Sequence, residues 1–301
     1  MTDSDYIRNG ALLHKMDVFM AAIHALTVLS IADWNSVVLR AKFDETPRVM
    51  VKVSGASLQA KHVMWSLYTV CKFMVLNRRY ATVRWKTMVG EQLLGVGQVL
   101  QSEEAMAMGG TQVNSSAAAA LEDNIEDSGV QSTDLTASGP VDALKARRDG
   151  IRWHLEWPRR GAEFPSHEVL YSIMKLIIDI AELPTKDPNA GVMYYNADAD
   201  FQLIICPRSE HVMEDVKNYI VVYALGGLAA GFAEDPKPGG RWQEFRGEFW
   251  WYGTKLGKAW MIKGHPIDRC EADPPAFEGS QMDVGDVSER GGSSGVSIAR
   301  S

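Results

Sequence analysis

Hydrophobic and polar positions follow two periods along the first hundred residues of the chain, one helical and one strand-like. Helical spacing covers Leu12–Ile31, and it returns from Ser57, a candidate N-cap, to about Asn77. Each helical run is followed by two strand-like runs, which are Val37–Phe43, Arg48–Val53, Thr82–Met88 and Leu93–Leu100. The order helix–strand–strand therefore occurs twice in a body that covers residues 10–100.

The same alternation returns in residues 151–264, after one additional strand. In that strand, Ile151–Trp157, apolar residues alternate with Arg152, His154 and Glu156, which is the period of a half-buried strand. The remaining predicted elements of this body are the helices 166–183 and 211–232 and the strands Val192–Tyr195, Phe201–Cys206, Trp242–Tyr252 and Lys258–Ile262. Its order begins strand–helix–strand–strand–helix–strand, which is the ferredoxin-like order.

These patterns predict an α+β fold of two ferredoxin-like-order bodies, each with a mainly antiparallel sheet backed by helices. Because both bodies repeat helix–strand–strand, we expect an internal duplication, which rests on element order alone. The alternative is a single sheet in which helices and hairpins alternate without any repeat. Element order does not decide whether the two bodies form one continuous sheet.

Two stretches lack the large apolar residues that a folded core requires. Residues 101–150 carry runs of Gly, Ser and Ala, and residues 265–301 are rich in Gly, Ser and Asp. Neither buries enough surface to offset the entropy of ordering the chain. We expect a disordered acidic linker at 101–150, between the two bodies, and a disordered tail at 265–301.

The cysteines and the N-terminus predict an intracellular, cytoplasmic protein. Cys71, Cys206 and Cys270 are far apart and odd in number, so we read all three as thiols. The first residues show neither the basic start nor the apolar run of a secretory signal. The best candidate for a membrane span, the uncharged run Tyr219–Ala233, is shorter than a bilayer requires and is expected to be a buried helix.

The sequence shows no catalytic, cofactor-binding or metal-binding motif in a context that would confirm one. Asn196, Asp198 and Asp200 resemble the start of a calcium loop, but the required glycine and the distal bidentate acid are replaced by Phe201 and Pro207. A hairpin turn explains them better. No His or Cys pair has zinc-ligand spacing, and no glycine-rich phosphate loop is present. We therefore predict no cofactor and lean away from an enzyme.

Charge is the one uneven feature of the chain. Residues 36–100 carry ten basic and three acidic side chains, a net charge of +7, whereas residues 101–150 carry three basic and nine acidic side chains, a net charge of −6. Five cations of the first body alternate with apolar residues, so we expect one basic sheet face built from Arg40, Lys42, Lys52, Arg84 and Lys86. This face is the candidate binding site for an anionic partner.

Three interpretations of the basic face compete: a solvated surface, a site for an anionic protein, and a docking site for the acidic linker itself. Nucleic acid is disfavoured because RNA-binding sheets use exposed aromatics for base stacking, and Trp85 is expected to point away from Arg84 and Lys86. The leading hypothesis is a non-enzymatic interaction protein whose basic face is gated by the acidic linker. No membrane partner is expected, and the sequence does not decide the oligomeric state.

The alternative is a cofactor-independent enzyme or small-ligand-binding protein with an apolar cleft between the two bodies. His154 and Glu156 share a strand face, and a neighbouring carboxylate could support acid–base chemistry at the imidazole. A polar solvent-facing strand is the favoured explanation of the pair, since a general base also needs a pocket and a substrate pose. The cleft would be lined by aromatic residues, namely Trp153, Trp157, Tyr194, Tyr195, Trp250 and Trp251.

Overall fold

The structure is a computed structural model, and it describes residues 2–8, 10–43, 48–102, 151–158, 161–207, 216–234, 241–264, 270 and 282–288. These residues form a mixed α and β architecture with two large antiparallel sheets and four helices. Contact density divides the chain into unit 1, Met1–Ala22 and Asn35–Ala137, and unit 2, Ile23–Trp34 and Ser138–Ser301. The predicted linker lies outside the described residues from position 103 onward.

Unit 1 is built on a five-stranded sheet with the strand order β1-β4-β5-β3-β2. All neighbouring strands in it are antiparallel. The strands are β1 (Thr2–Tyr6), β2 (Arg40–Phe43), β3 (Val49–Ser54), β4 (Val83–Val89) and β5 (Gln92–Gln101). The helices that accompany them in the chain are α1 (Lys15–Leu29), which the unit boundary divides, and α2 (Ala60–Leu76).

Helix α2 covers one face of the first sheet and contacts β1 and β4. Its apolar positions Val63, Leu67 and Val70 recur at helical spacing and are fully buried, which is the pattern that drives a helix onto a sheet. A buried hydrogen bond of 2.8 Å between the hydroxyls of Ser66 and Thr87 ties the helix to β4. The opposite face of the sheet is therefore the one that remains for charged side chains.

Unit 2 contains a six-stranded antiparallel sheet with the order β13-β6-β11-β12-β9-β8, and a two-stranded sheet of β10 and β7. The strands are β6 (Ile151–Pro158), β7 (Glu163–Pro165), β8 (Val192–Asn196), β9 (Phe201–Pro207), β10 (Arg241–Gln243), β11 (Phe245–Trp251), β12 (Thr254–Lys263) and β13 (Met282–Ser288). The helices are α3 (Ser166–Ala181) and α4 (Asn218–Glu234).

Both helices pack on one face of the second sheet, with α3 against β8 and α4 against β6. The indole nitrogen of Trp153 donates a 3.0 Å hydrogen bond to the carbonyl of Ala224, and the Trp153 and Phe249 rings lie 5.3 Å apart. Aromatic packing and a satisfied indole N–H are what a buried tryptophan requires. We call this the helix face of the second sheet, and the other its open face.

The two sheets share one strand order. The order β1-β4-β5-β3-β2 of unit 1 corresponds, element by element along the chain, to β6-β11-β12-β9-β8 of unit 2, and β13 extends the second sheet at one edge. In both units the last strand of the set, β5 or β12, lies inside the sheet beside β3 or β9. This arrangement does not establish the ferredoxin-like fold that element order suggested.

The structure contains strands that the sequence pattern did not predict. β1 lies before the predicted start of the first body at residue 10, and β13 lies within residues 265–301, where we expected a tail without secondary structure. The predicted strand Trp242–Tyr252 is divided between β10 and β11. At the break, the Glu244 carboxylate accepts hydrogen bonds from the backbone N–H of Ala162, which precedes β7, and of Lys263, the last residue of β12.

The prediction that all three cysteines are thiols is wrong for two of them. Cys206 and Cys270, 64 positions apart in the sequence, form a disulfide that joins β9 to a residue between β12 and β13. Only Cys71 is a free thiol, and burial in α2 raises its pKa to about 12. Disulfides are typical of oxidising compartments, so the cytoplasmic location stays a prediction.

Helix α4, which contains the uncharged run Tyr219–Ala233, has 17 residues. None of the helices in the described ranges is long and apolar enough to cross a membrane.

Candidate basic sheet face

Five cations lie on the face of the first sheet that points away from α2. In β2, exposed Arg40 and Lys42 alternate with buried Ala41 and Phe43. In β4, exposed Arg84 and Lys86 flank Trp85 in the same way, and Lys52 occupies a half-buried position in β3. The two-residue period of a strand places all of them on one surface, as the sequence predicts. We call this surface the basic sheet face.

Strand register arranges the cations in two rows across the sheet. Both rows cross the strands in the order β2, β3, β5, β4. The first row consists of Lys42, Lys52, Gln98 and Arg84, and the second of Arg40, Ser54, Val96 and Lys86. Strands are about 4.8 Å apart, so each row spans roughly 14 Å, and the rows are about 6.7 Å from one another. The sequence could not predict that an uncharged strand, β5, separates Lys52 of β3 from Arg84 and Lys86 of β4.

Strand β1 adds two carboxylates that the sequence analysis missed. Asp3 pairs with Lys86 in the ladder, Asp5 pairs with Arg84, and both aspartates are exposed. Opposite charges directly across an antiparallel pair attract weakly, and they lower the positive potential at that end of the face. Alternation of Asp3, Ser4 and Asp5 was the available signal for this edge strand.

The aromatic side chain nearest to the cations in sequence does point away from them, as expected. Trp85 is 2% exposed and lies on the α2 side, where its ring packs over Gly97 of β5. The two cation rows contain Gln98, Ser54 and Val96 as their other members, and these provide no ring for base stacking.

His154 and Glu156 lie side by side on the open face of the second sheet, both half-buried. Across the ladder, His154 faces Glu248 and Glu156 faces Arg246. Glu248 is also ion-paired with Lys255. Glu156 thus lies opposite a cation, Arg246, on the neighbouring strand, an arrangement that stabilises strand pairing. The neighbours of His154 and Glu156 are consistent with a structural role in strand pairing and with acid–base chemistry, and they do not distinguish the two.

The six aromatic residues proposed for an apolar cleft do not share one surface. Trp153, Trp157 and Trp251 belong to the helix face, where Trp157 packs against Phe232 and Trp251 lies 5.8 Å from the Tyr219 ring. The remaining members divide between the faces, with Tyr194 on the helix face and Tyr195 and Trp250 on the open face.

The Asn196–Asp200 segment forms a hairpin turn between β8 and β9. The Asn196 side-chain oxygen accepts hydrogen bonds of 3.1 Å from the backbone N–H of Asp198 and of Ala199, and its amide donates to the Glu168 carboxylate at 3.0 Å. An asparagine oxygen used in this way belongs to the turn. Among the residues that the structure describes, no group of three or more His, Cys, Asp or Glu side chains could hold a metal ion.

Comparison with protein-family models, with curated proteins and with solved structures finds no match to this chain.

Proposed function

We propose that the protein is a non-enzymatic interaction protein that binds an acidic protein segment on the basic sheet face of unit 1. The supporting observation is the register that places Arg40, Lys42, Lys52, Arg84 and Lys86 in two rows on one sheet surface. An extended segment with acidic residues at alternate positions spaces its carboxylates by about 6.7 Å, which matches the distance between the rows.

An acidic protein suits this face better than a nucleic acid does. Single-stranded nucleic acid binding combines cations with aromatic platforms, and the residues that complete the two rows are Gln98, Ser54 and Val96. The carboxylates of Asp3 and Asp5 at the β1 edge also oppose a uniformly charged phosphate backbone. A partner with discrete acidic residues can avoid that edge.

The acidic stretch at 101–150 would compete for the same face. It follows directly after β5 and carries a net charge of −6 against +7 in residues 36–100. A tethered segment has an effective concentration near millimolar, so even weak attraction populates a docked state. We propose that this stretch acts as an electrostatic gate, which an acidic partner must displace.

The corresponding strand orders of the two sheets also support an internal duplication, which we propose here as the origin of the two units. Under this proposal the basic face of unit 1 and the open face of unit 2 are equivalent surfaces. They carry different side chains, so binding of an acidic partner would be confined to unit 1.

The test compares two variants that each lose three positive charges from unit 1. One carries Lys42→Gln, Arg84→Gln and Lys86→Gln on the basic sheet face. The control carries three substitutions in and just after α2, namely Lys61→Gln, Lys72→Gln and Arg79→Gln. Affinity for fluorescent polyglutamate is measured by anisotropy at low and high salt.

Exposed ion pairs contribute about 0.2–1 kcal/mol each, so three losses on the face should weaken binding by roughly 3- to 100-fold, and the control should change little. Added salt should reduce the difference. Equal loss in both variants would show that only net charge matters, and the proposal would fail. Deleting residues 103–149 should tighten binding, whereas unchanged affinity would refute the gate alone.

A further inference from the structure

The outer edge of β1, on the side away from β4, is an edge of the first sheet. β1 pairs with β4, and within the described ranges no strand pairs with its other side. In unit 2 the strand at the corresponding position, β6, pairs with β11 on one side and with the seven-residue strand β13 on the other, both antiparallel. The strand order that the two units share therefore accommodates, in unit 2, a further antiparallel strand at the edge that corresponds to β1.

The hydrogen bonds between β1 and β4 leave one set of backbone groups directed at this outer edge. The N–H of Ile7 donates a 3.0 Å hydrogen bond to the carbonyl of Thr82, so these two residues form a hydrogen-bonded pair that continues the β1–β4 register. Hydrogen-bonded and non-hydrogen-bonded pairs alternate along an antiparallel ladder. The N–H and C=O groups of Ser4 and Tyr6 therefore point away from β4, whereas those of Asp5 point toward it.

β1 is held in place on the side that faces α2. The hydroxyls of Thr2 and Ser66 form a 3.2 Å hydrogen bond, and the Tyr6 hydroxyl donates a 2.6 Å hydrogen bond to the carbonyl of Arg79. The centroids of the Tyr6 and Phe73 rings are 5.0 Å apart. Because these contacts fix β1 in its extended form, the addition of a strand to its outer edge requires little further ordering of unit 1.

The two carboxylates of β1 determine which kind of strand fits this edge. Asp3 and Asp5 are exposed, and they occupy the positions whose backbone groups bond to β4. Toward an added antiparallel strand, the same two positions become non-hydrogen-bonded pairs, in which Cα atoms are about 4.5 Å apart and side chains come closest. A cation opposite each aspartate therefore forms a cross-strand ion pair, whereas a carboxylate at either position is repelled.

The same carboxylates disfavour a second copy of β1 as the added strand. Two β1 strands paired antiparallel about Ser4 would place Asp3 of each opposite Asp5 of the other, and like charges directly across a ladder destabilise it. Cations on an added strand would lie two strand spacings, about 9.6 Å, from Arg84 and Lys86 of β4. That distance exceeds the Debye length of about 8 Å at physiological salt, so attraction to the nearer aspartates dominates.

We propose that the outer edge of β1 binds an extended basic segment of a partner protein, which joins the first sheet as a sixth, antiparallel strand. The segment carries Lys or Arg at two alternate positions, one opposite Asp3 and one opposite Asp5. Its backbone exchanges hydrogen bonds with Ser4 and Tyr6, as in other cases of β-strand addition. This edge is separate from the basic sheet face, and its occupation does not depend on the acidic segment proposed above.

The test uses the full chain and a fluorescein-labelled peptide, Thr-Val-Lys-Val-Lys-Val-Thr, whose affinity is measured by anisotropy at physiological salt. A control peptide, Thr-Lys-Lys-Val-Val-Val-Thr, has the same composition but directs its two lysines to opposite faces of a strand. The first peptide should bind several-fold more tightly than the control, because only its lysines reach both aspartates.

Two protein variants locate the bound peptide. Asp3→Asn with Asp5→Asn should weaken binding of the first peptide by roughly 2- to 30-fold, the range expected for the loss of two exposed ion pairs. Asp17→Asn with Glu91→Gln removes two negative charges from other parts of unit 1 and should leave the affinity nearly unchanged. Because Asp3 and Asp5 are exposed, their variant should keep the far-ultraviolet circular dichroism of the parent protein.

N-methylation of the peptide distinguishes strand addition from charge attraction. The valine between the two lysines lies opposite Ser4 in the proposed pairing, so its N–H donates to β1, whereas the N–H groups of the lysines point away from β1. N-methylation of this valine should therefore weaken binding by roughly 10-fold, and N-methylation of the lysine before it should have little effect.

Three results would overturn the proposal. Equal affinity for the two peptides would show that only their net charge is recognised. An affinity that falls equally in both protein variants, or in neither, would place the peptide away from β1. Equal effects of the two N-methyl groups would show that the peptide does not bind as an added strand.

Discussion

Replacing Gly97 of β5 by alanine should destabilise unit 1 through a single contact. Gly97 lies opposite Trp85 in the ladder, and an added Cβ would lie 2.6 Å from Cη2 of that ring and closer still to Cζ2 and Cε2. Trp85 is 2% exposed beneath α2, so the ring has no open space into which it could turn. Overpacking of this kind costs about 1–3 kcal/mol.

Whether Gly97→Ala lowers or raises the free energy of unfolding should depend on the residue at position 85. Glycine in a strand interior is less stable than alanine by about 0.5–1 kcal/mol because it loses more backbone entropy on folding. In a Trp85→Leu background the clash disappears, so Gly97→Ala should become neutral or stabilising there. The coupling free energy between the two substitutions should then lie within the range of about 0.5–3 kcal/mol that contacting residues show.

Gly95→Ala is the matched control, because it lies in the same strand but its added Cβ would lie 2.6 Å from the backbone oxygen of Ser54. That clash does not involve Trp85, so Trp85→Leu should not relieve it. Free energies of unfolding for the single and double variants come from urea titrations followed by circular dichroism. If Gly97→Ala costs the same with tryptophan or leucine at position 85, the reasoning from the ring contact is refuted.

Further predictions concern single groups in each unit. Burial, and then the charge of Lys61, lower the pKa of His62 below its ordinary 6.5. Because the unfolded chain takes up the proton first, unit 1 should lose stability as the pH falls below 6.5, and His62→Gln should flatten that part of a stability–pH curve. The Cys71 thiol, whose pKa burial raises to about 12, should resist iodoacetamide at neutral pH until denaturant is added. Asn196→Ala should lower the free energy of unfolding of unit 2 by about 1–3 kcal/mol, since it removes the hydrogen bonds of the buried Asn196 side chain to the turn backbone and to Ser172; an unchanged urea midpoint would contradict this.

Local periodicity predicted most of the helices and strands of this chain. Alternation around Trp85 correctly placed Arg84 and Lys86 together on one face, and helical spacing located α3, which begins at Ser166 as predicted. Both features depend on neighbours within a few positions, which a single sequence displays directly.

The features that sequence reasoning missed depend on distant contacts. Gly257 falls between the predicted strands Trp242–Tyr252 and Lys258–Ile262, but it lies inside β12, where the Phe249 ring of the adjacent strand occupies the space of a side chain. The pairing of Cys206 with Cys270 joins two positions that are 64 residues apart, and the residues near either cysteine do not predict that the two lie together in the fold. The charge of the basic face depends in part on β1, which joins the sheet beside β4 although the two are far apart in sequence.

The equivalent strand orders of the two units have a consequence for how the protein can change over time. The helix face of each sheet is committed to core packing, as the burial of Val63 and Trp153 shows, so substitutions there act on stability. The opposite faces carry different side chains: the basic sheet face of unit 1 carries five cations, whereas the open face of unit 2 carries charged residues such as His154, Glu156 and Glu248 beside apolar ones. A substitution on one of these faces therefore changes the surface that its own unit presents and leaves the helix-packed core of each sheet as it is.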